Sequence, residues 1–102
     1  MTINKEMVND VLTVSVAGRL DTTTSPELEE YLKDSLDAVT SLVLDLSELE
    51  YISSAGLRVL LSAQKTMNKQ GKMEVTGASE AIMEIFEVTG FSDILTIVEK
   101  AE

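Results

Sequence analysis

The sequence predicts a mixed α/β domain: a central β-sheet of about four to five strands that opens with an antiparallel hairpin and is flanked by three to four helices. Three observations lead there. Two β-rich segments at the start are separated by Asn9-Asp10, apolar residues then recur three times at helical spacing, and short apolar runs lie between those helical stretches. The order β-β-α-β-α-β-α-β alternates strands with helices after an initial hairpin, which argues for a mixed sheet flanked by helices.

Residues 2–8 and 11–17 form the predicted hairpin, the second strand alternating Leu12, Val14 and Val16 with Thr13 and Ser15. Gly18-Arg19-Leu20-Asp21, three threonines and Ser25 read as a loop that ends in a helix start. Ser25 is placed to cap, Pro26 suits the first helical position, where its missing N–H is not needed, and Glu27, Glu29 and Glu30 suit the positive end of the dipole. Leu28, Tyr31, Leu32, Leu36 and Val39 then mark an amphipathic helix to about residue 38.

Leu42-Val43-Leu44 is a continuous apolar run, the pattern of a central strand buried on both faces, with Asp45 at its end. Residues 46–52 read as a connector. Ser53 and Ser54 open a second helix through Leu57, Leu60, Leu61 and Met67, with Val59 and Ala63 widening its buried face and Gly71 expected to close it as a left-handed cap. Residues 72–76 follow as a strand. Ser79 caps a third helix carrying Ile82, Ile85 and Phe86, Gly90 ends it with Phe91 folding back on Phe86, and residues 94–98 are a last extended segment.

Composition narrows the function. With 102 residues, one proline and no low-complexity tract, residues 1–102 are expected to form one domain. Hydrophobic residues are 44% of the chain but include only two Phe, two Tyr and no Trp, so the core is aliphatic, with Met67 and Met73 as filler. Eighteen acidic residues against eight basic ones give a formal net charge of -10, which repels nucleic-acid phosphates and anionic membranes. No apolar run approaches the ~20 residues of a membrane span, and charged residues occupy the start where a secretory signal needs apolar ones, so a cytoplasmic location is expected. The absence of Cys and His removes disulfides, thiolate nucleophiles and the commonest metal ligands, and no cofactor or metal is expected. A Gly-rich phosphate loop is also missing.

The most informative stretch is Asp45-Leu46-Ser47-Glu48-Leu49-Glu50-Tyr51-Ile52-Ser53-Ser54-Ala55-Gly56-Leu57, with Gly18-Arg19-Leu20-Asp21 as a second landmark. Taken alone, Ser-Ser before a helix is ordinary capping material, Asp21 and the threonines are turn residues, and Glu48 and Glu50 are solvated. Together with the element order over residues 1–99, the two landmarks resemble the signature of STAS domains in anti-sigma factor antagonists. The resemblance implies a bacterial partner-switching regulator of transcription and not an enzyme. An anti-sigma factor that is also a serine kinase phosphorylates one serine, the unphosphorylated form binds that kinase and frees the sigma factor, and a phosphoserine phosphatase resets the system.

By motif position the phosphoacceptor is Ser54, and the implied partner-binding surface comprises Asp21, Thr22, Thr23, Ser53, Ser54, Ala55, Gly56, Leu57 and Arg58. Many members carry Asp immediately before the phosphorylated serine, whereas this chain has Ser53. Members often add a helix after the last strand, which is expected here to be absent or very short. The chemistry of the position agrees with the assignment. If Ser53 caps, Ser54 stands in the first turn with an exposed hydroxyl among unpaired backbone N–H groups, and Gly56 lets a partner approach the backbone closely. A phosphate would add about -1.5 to -2 charges, favourable toward the dipole and adverse to a partner packed on a small hydroxyl. The rival readings are a Ser54 nucleophile paired with Lys65, Lys69 or Lys72, and a passive scaffold subunit of a regulatory or transporter assembly. A monomer or weak homodimer is expected.

Overall fold

The computed structural model describes residues 1–98; the expectation that a C-terminal helix is absent or very short concerns residues 99–102, outside the described part. The chain starts with β1 (Thr2–Val8) and β2 (Val11–Leu20), antiparallel in the register Thr2↔Ala17 to Val8↔Val11. Asn9 and Asp10 have φ of 50° and 67°. Positive φ at both central residues is the type I′ form of the two-residue hairpin turn, and short polar side chains tolerate it best after glycine.

Then follow α1 (Ser25–Ser35), β3 (Ser41–Asp45), β4 (Leu49–Ile52), α2 (Ser54–Gln70), β5 (Lys72–Thr76), α3 (Glu80–Thr89), a 3-10 turn at Phe91–Asp93 and β6 (Ile97–Val98). The fold class is as the sequence predicts, a mixed sheet with an N-terminal hairpin and three α-helices, with one strand more than expected. The sheet runs β1-β2-β3-β5-β6, and β4 pairs with β2 beyond the end of β3. All pairs after the hairpin are parallel.

The extra strand corrects the reading of residues 46–52 as a connector. β2 pairs with β3 at positions 12–15 and, past an irregularity at Gly18, with β4 at positions 18–20 on the same edge. Gly18, Arg19 and Leu20 therefore belong to the strand and not to the loop that the sequence suggested. Gly18 has φ +96, which admits the change of pairing partner where its N–H donates to the Glu48 carbonyl at 3.0 Å.

The central strand β3 is not buried on both faces, as its apolar run suggested: Leu42 and Leu44 are fully buried while Val43 is only half-buried. Topology explains it. The order β2-β3-β5-β6 advances in one direction, and right-handed crossovers then place every helix on the same side of the sheet. On that side Leu12, Val14, Val16, Met73 and Val75 pack against Leu28 and Leu32 of α1, Leu57, Leu60 and Met67 of α2, and Ile82 and Phe86 of α3. Burying each such side chain stabilises the fold by about 1.5 to 3 kcal/mol relative to its exposure.

Helix ends differ in detail from the sequence reading. The N-cap of α1 is Thr24 and not Ser25, which is its first residue and is buried with Pro26 beside it. α1 stops at Ser35, short of residue 38, because Ala38 turns left-handed (φ 64); Gln70 donates its side-chain amide to the carbonyls of Leu36 and Val39, each at 2.6 Å, and so closes that end. Ser79 caps α3 and Gly90 ends it in the left-handed region, both as expected. Gly71 ends α2 but not as a left-handed cap, since its φ is 171°. Glycine is needed there because a Cβ would collide with the Thr40 carbonyl.

Candidate functional site

Both landmark motifs lie at the carboxyl ends of the parallel strands, where open α/β sheets characteristically present their sites. β4 delivers Ile52, then Ser53, then the first turn of α2, and the parallel register sets Leu20 against Ile52 and Arg19 against Tyr51. The Ser53 N–H donates to the Leu20 carbonyl at 2.9 Å. One hydrogen bond thus ties the residue before Asp21 to the residue before Ser54.

Ser53 occupies the N-cap with extended backbone, its hydroxyl accepting from the Gly56 N–H at 3.4 Å and its carbonyl from the Leu57 N–H at 2.9 Å. Ser54 is the first residue of the helix proper and is exposed. Ala55 is half-buried and Arg58 exposed, whereas Leu57 is buried in the core. Gly56 is also buried, and this corrects the idea that it thins the surface for a partner. A Cβ there would stand 2.8 Å from Leu20 Cγ and 2.8 Å from Ile52 Cγ1, so the missing side chain lets α2 seat against the ends of β2 and β4.

Asp21 organises the neighbouring loop. Its Oδ1 accepts from the N–H groups of Thr23 at 3.0 Å and Thr24 at 3.1 Å, and the Thr24 hydroxyl, which receives the Asp21 N–H at 2.9 Å, donates to the Arg19 carbonyl at 2.7 Å. The Thr24 N–H foremost, and with it the Thr23 N–H, the Thr24 hydroxyl and Arg19, hold the Asp21 carboxyl below its ordinary value of 3.8 against an opposing desolvation that is second only to the Thr24 N–H. The other carboxylate oxygen is 3.7 Å from Arg19 Nε, and the Arg19 guanidinium lies over the Tyr51 ring at 4.2 Å from its centroid. Thr22 and Thr23 are exposed beside it.

The chain matches the family model described as "STAS domain" over residues 2–102. It belongs to the STAS domain family. The anti-sigma-B factor antagonist of Listeria monocytogenes is 35% identical over 95 residues, 91% of this chain and 83% of that protein. The crystal structure of an anti-sigma factor antagonist from Mycobacterium paratuberculosis has a TM-score of 0.87 at 29% identity, covering 94% of this chain and 83% of that one. The Bacillus cell fate determinant SpoIIAA, solved in its phosphorylated form, shares the fold with a TM-score of 0.77 at 17% identity, covering 99% of this chain and 93% of that one.

This STAS domain therefore brings Asp21, Thr22, Thr23, Ser53, Ser54, Ala55 and Arg58 to one edge, while Gly56 and Leu57 support that edge from beneath. Sequence reasoning passed over Tyr51 and Arg19 as a pair, because their contact exists only through the β2–β4 pairing and Tyr51 fell in a stretch read as connector. Among the described residues no group of three or more acidic, His or Cys side chains could hold a metal ion.

The Asp21 network yields a pH prediction. A carboxyl held below its unfolded value contributes stability that is present above that value and lost as the pH falls through the folded one. Asp21→Asn is expected to unfold at lower urea than the wild type at pH 7, and the gap should close as the pH drops below the ordinary Asp range of about 3.9. Urea midpoints measured from pH 7 to pH 2 check this, and a gap that stays constant across the series would remove the carboxylate from the account.

Proposed function

We propose that this STAS domain is an anti-sigma factor antagonist whose unphosphorylated form binds an anti-sigma factor serine kinase and releases the sigma factor, and that phosphorylation of Ser54 switches the binding off. The observation that carries the assignment is the division of labour at α2: Ser53 is engaged as the cap while Ser54, next to it, presents its side chain at the surface. The relatives named as antagonists support the role, and a fold neighbour solved in phosphorylated form supports the modification.

In the proposed transfer Ser54 Oγ attacks the γ-phosphorus of ATP held by the partner. The bond from that phosphorus to the ADP oxygen breaks, and the serine proton passes to a base of the kinase. A phosphatase returns the hydroxyl and releases inorganic phosphate. Geometry disfavours a Ser-Lys enzyme in its place: Lys65 and Lys69 lie about 16 and 22 Å along the helix from Ser54 at 1.5 Å per residue, and Lys72 lies beyond it on β5. Among the described residues no helix is long and apolar enough to cross a membrane, and a cytoplasmic location is proposed with the role.

The test incubates the protein with a cognate anti-sigma kinase and ATP and maps phosphate by mass spectrometry in wild type, Ser53→Ala and Ser54→Ala. Phosphate should appear in the wild type and Ser53→Ala and be absent from Ser54→Ala. No phosphate on any variant, with a kinase active on another substrate, would favour a passive scaffold subunit.

A further inference from the structure

The chain has only two arginines among its eight basic residues, Arg19 and Arg58, and both lie at the edge that carries Ser54. Their surroundings differ. Arg19 is occupied by the Tyr51 ring and the Asp21 carboxylate. Arg58 is exposed, and among the described residues no hydrogen bond or ion pair engages it.

Arg58 follows Ser54 by four positions on α2, the spacing that puts two side chains on the same face one turn apart. The order is also the favourable one, with the anion nearer the N-terminus and the cation nearer the C-terminus. α2 is unusual for this acidic chain: its seventeen residues include Arg58, Lys65 and Lys69 but no Asp or Glu. Arg58 thus has no resident carboxylate on its own helix with which a new anion at position 54 would compete.

We infer that Arg58 is the intramolecular partner of the phosphate on Ser54, closing an Arg–phosphate pair one turn along the outward face of α2; this rests on the assignment of Ser54 as the phosphoacceptor. A guanidinium presents paired N–H donors that match phosphate oxygens, which a lysine at the same place does not reproduce. The other charged groups at this edge work in the same direction. Asp21, kept ionised by its backbone donors, repels a dianion on the loop tied to Ser53, and Arg19 is already engaged by that same Asp21. The phosphate is therefore drawn along α2 toward Arg58 and away from the Asp21 loop. Arg58 then has two states, a free cation at the partner-binding edge before modification and a neutralised one after it. Phosphorylation removes a positive group from that edge as well as adding a negative one.

The test installs phosphoserine at position 54 during translation in the full chain and follows the phosphate by phosphorus NMR as the pH is varied, in wild type, Arg58→Gln and Arg58→Lys. The second ionisation, ordinarily near pH ~6, should lie about half a pH unit higher in Arg58→Gln than in the wild type, with Arg58→Lys between them. The difference should shrink in 1 M salt, where the screening length falls to about 3 Å. Equal ionisation in wild type and Arg58→Gln would overturn the pair, with circular dichroism confirming that the exposed substitution leaves the fold unchanged. Because no kinase is used, a kinase that ignores Ser54 would overturn the acceptor assignment and leave this result standing.

Discussion

Gly56→Val is expected to destabilise the domain by about 3 kcal/mol, lowering the melting temperature by roughly 15 °C for a domain of this size. The reason lies in the seat of α2. A Cβ at Gly56 would stand 2.8 Å from both Leu20 Cγ and Ile52 Cγ1 and 2.9 Å from the Leu20 carbonyl oxygen. Real Cβ atoms do not approach backbone oxygen so closely, and this oxygen is the one that accepts from Ser53 N–H. The first turn of α2 must lift from β2, stretching the bond that joins the two halves of the site. Gly56→Ala adds only the Cβ and gains helix propensity of about 1 kcal/mol, so its net cost should be nearer 1 kcal/mol. Thermal melts of the three proteins check the order. A Val variant as stable as the wild type would mean that α2 is not seated against Leu20 as described.

Features governed by local chemistry were legible in the sequence. The Asn9-Asp10 turn, the caps at Ser53 and Ser79 and the left-handed stop at Gly90 follow from preferences of single residues for particular backbone states, which no distant contact overrides here. Where two local signals competed, position slipped by one or more residues. Ser25 and Thr24 both suit an N-cap, and Thr24 takes the place while its hydroxyl serves the Asp21 loop instead of the helix. Gly71 looked like a helix terminator because it is glycine; it is glycine because the Thr40 carbonyl leaves no room.

What the sequence could not show depends on pairing between distant strands. β4 has buried residues only at its two ends, Leu49 and Ile52, so it lacks the alternation that identifies a strand. Its existence follows from the unpaired far end of β2, information held some thirty residues away. The site suffered the same loss. Motif position placed Ser54 and Asp21 by resemblance, but the Leu20–Ser53 bond, the Arg19–Tyr51 stacking and the inward direction of Gly56 and Leu57 all need the β2–β4 register. Arg58 was visible as a candidate contact residue, and its exposure, with no hydrogen bond or ion pair to it among the described residues, gives it a more definite part.

Ser54→Asp and Ser54→Glu are expected to weaken binding to the cognate anti-sigma kinase at least a hundredfold while leaving the melting temperature equal to or slightly above that of the wild type. The two effects have opposite signs for one physical reason. Within the domain the new carboxylate sits in the first turn of α2, where unpaired backbone N–H groups and the helix dipole favour an anion by about 0.3 to 1 kcal/mol, and the helix has no acidic residue in that turn to oppose it. Across the interface the same carboxylate has to give up its water against a surface fitted to a hydroxyl, and an unpaired charge at a buried contact costs several kcal/mol, of which about 2.7 kcal/mol already corresponds to a hundredfold in affinity. Ser54→Ala removes the hydroxyl without adding charge, so it should bind like the unmodified wild type and lose only its response to kinase and ATP. Calorimetric titration of the three variants against the kinase, paired with thermal melts, separates the effects. Tight binding by both acidic variants would place the partner elsewhere on the domain, and a large fall in melting temperature would show that position 54 is not an open helix terminus.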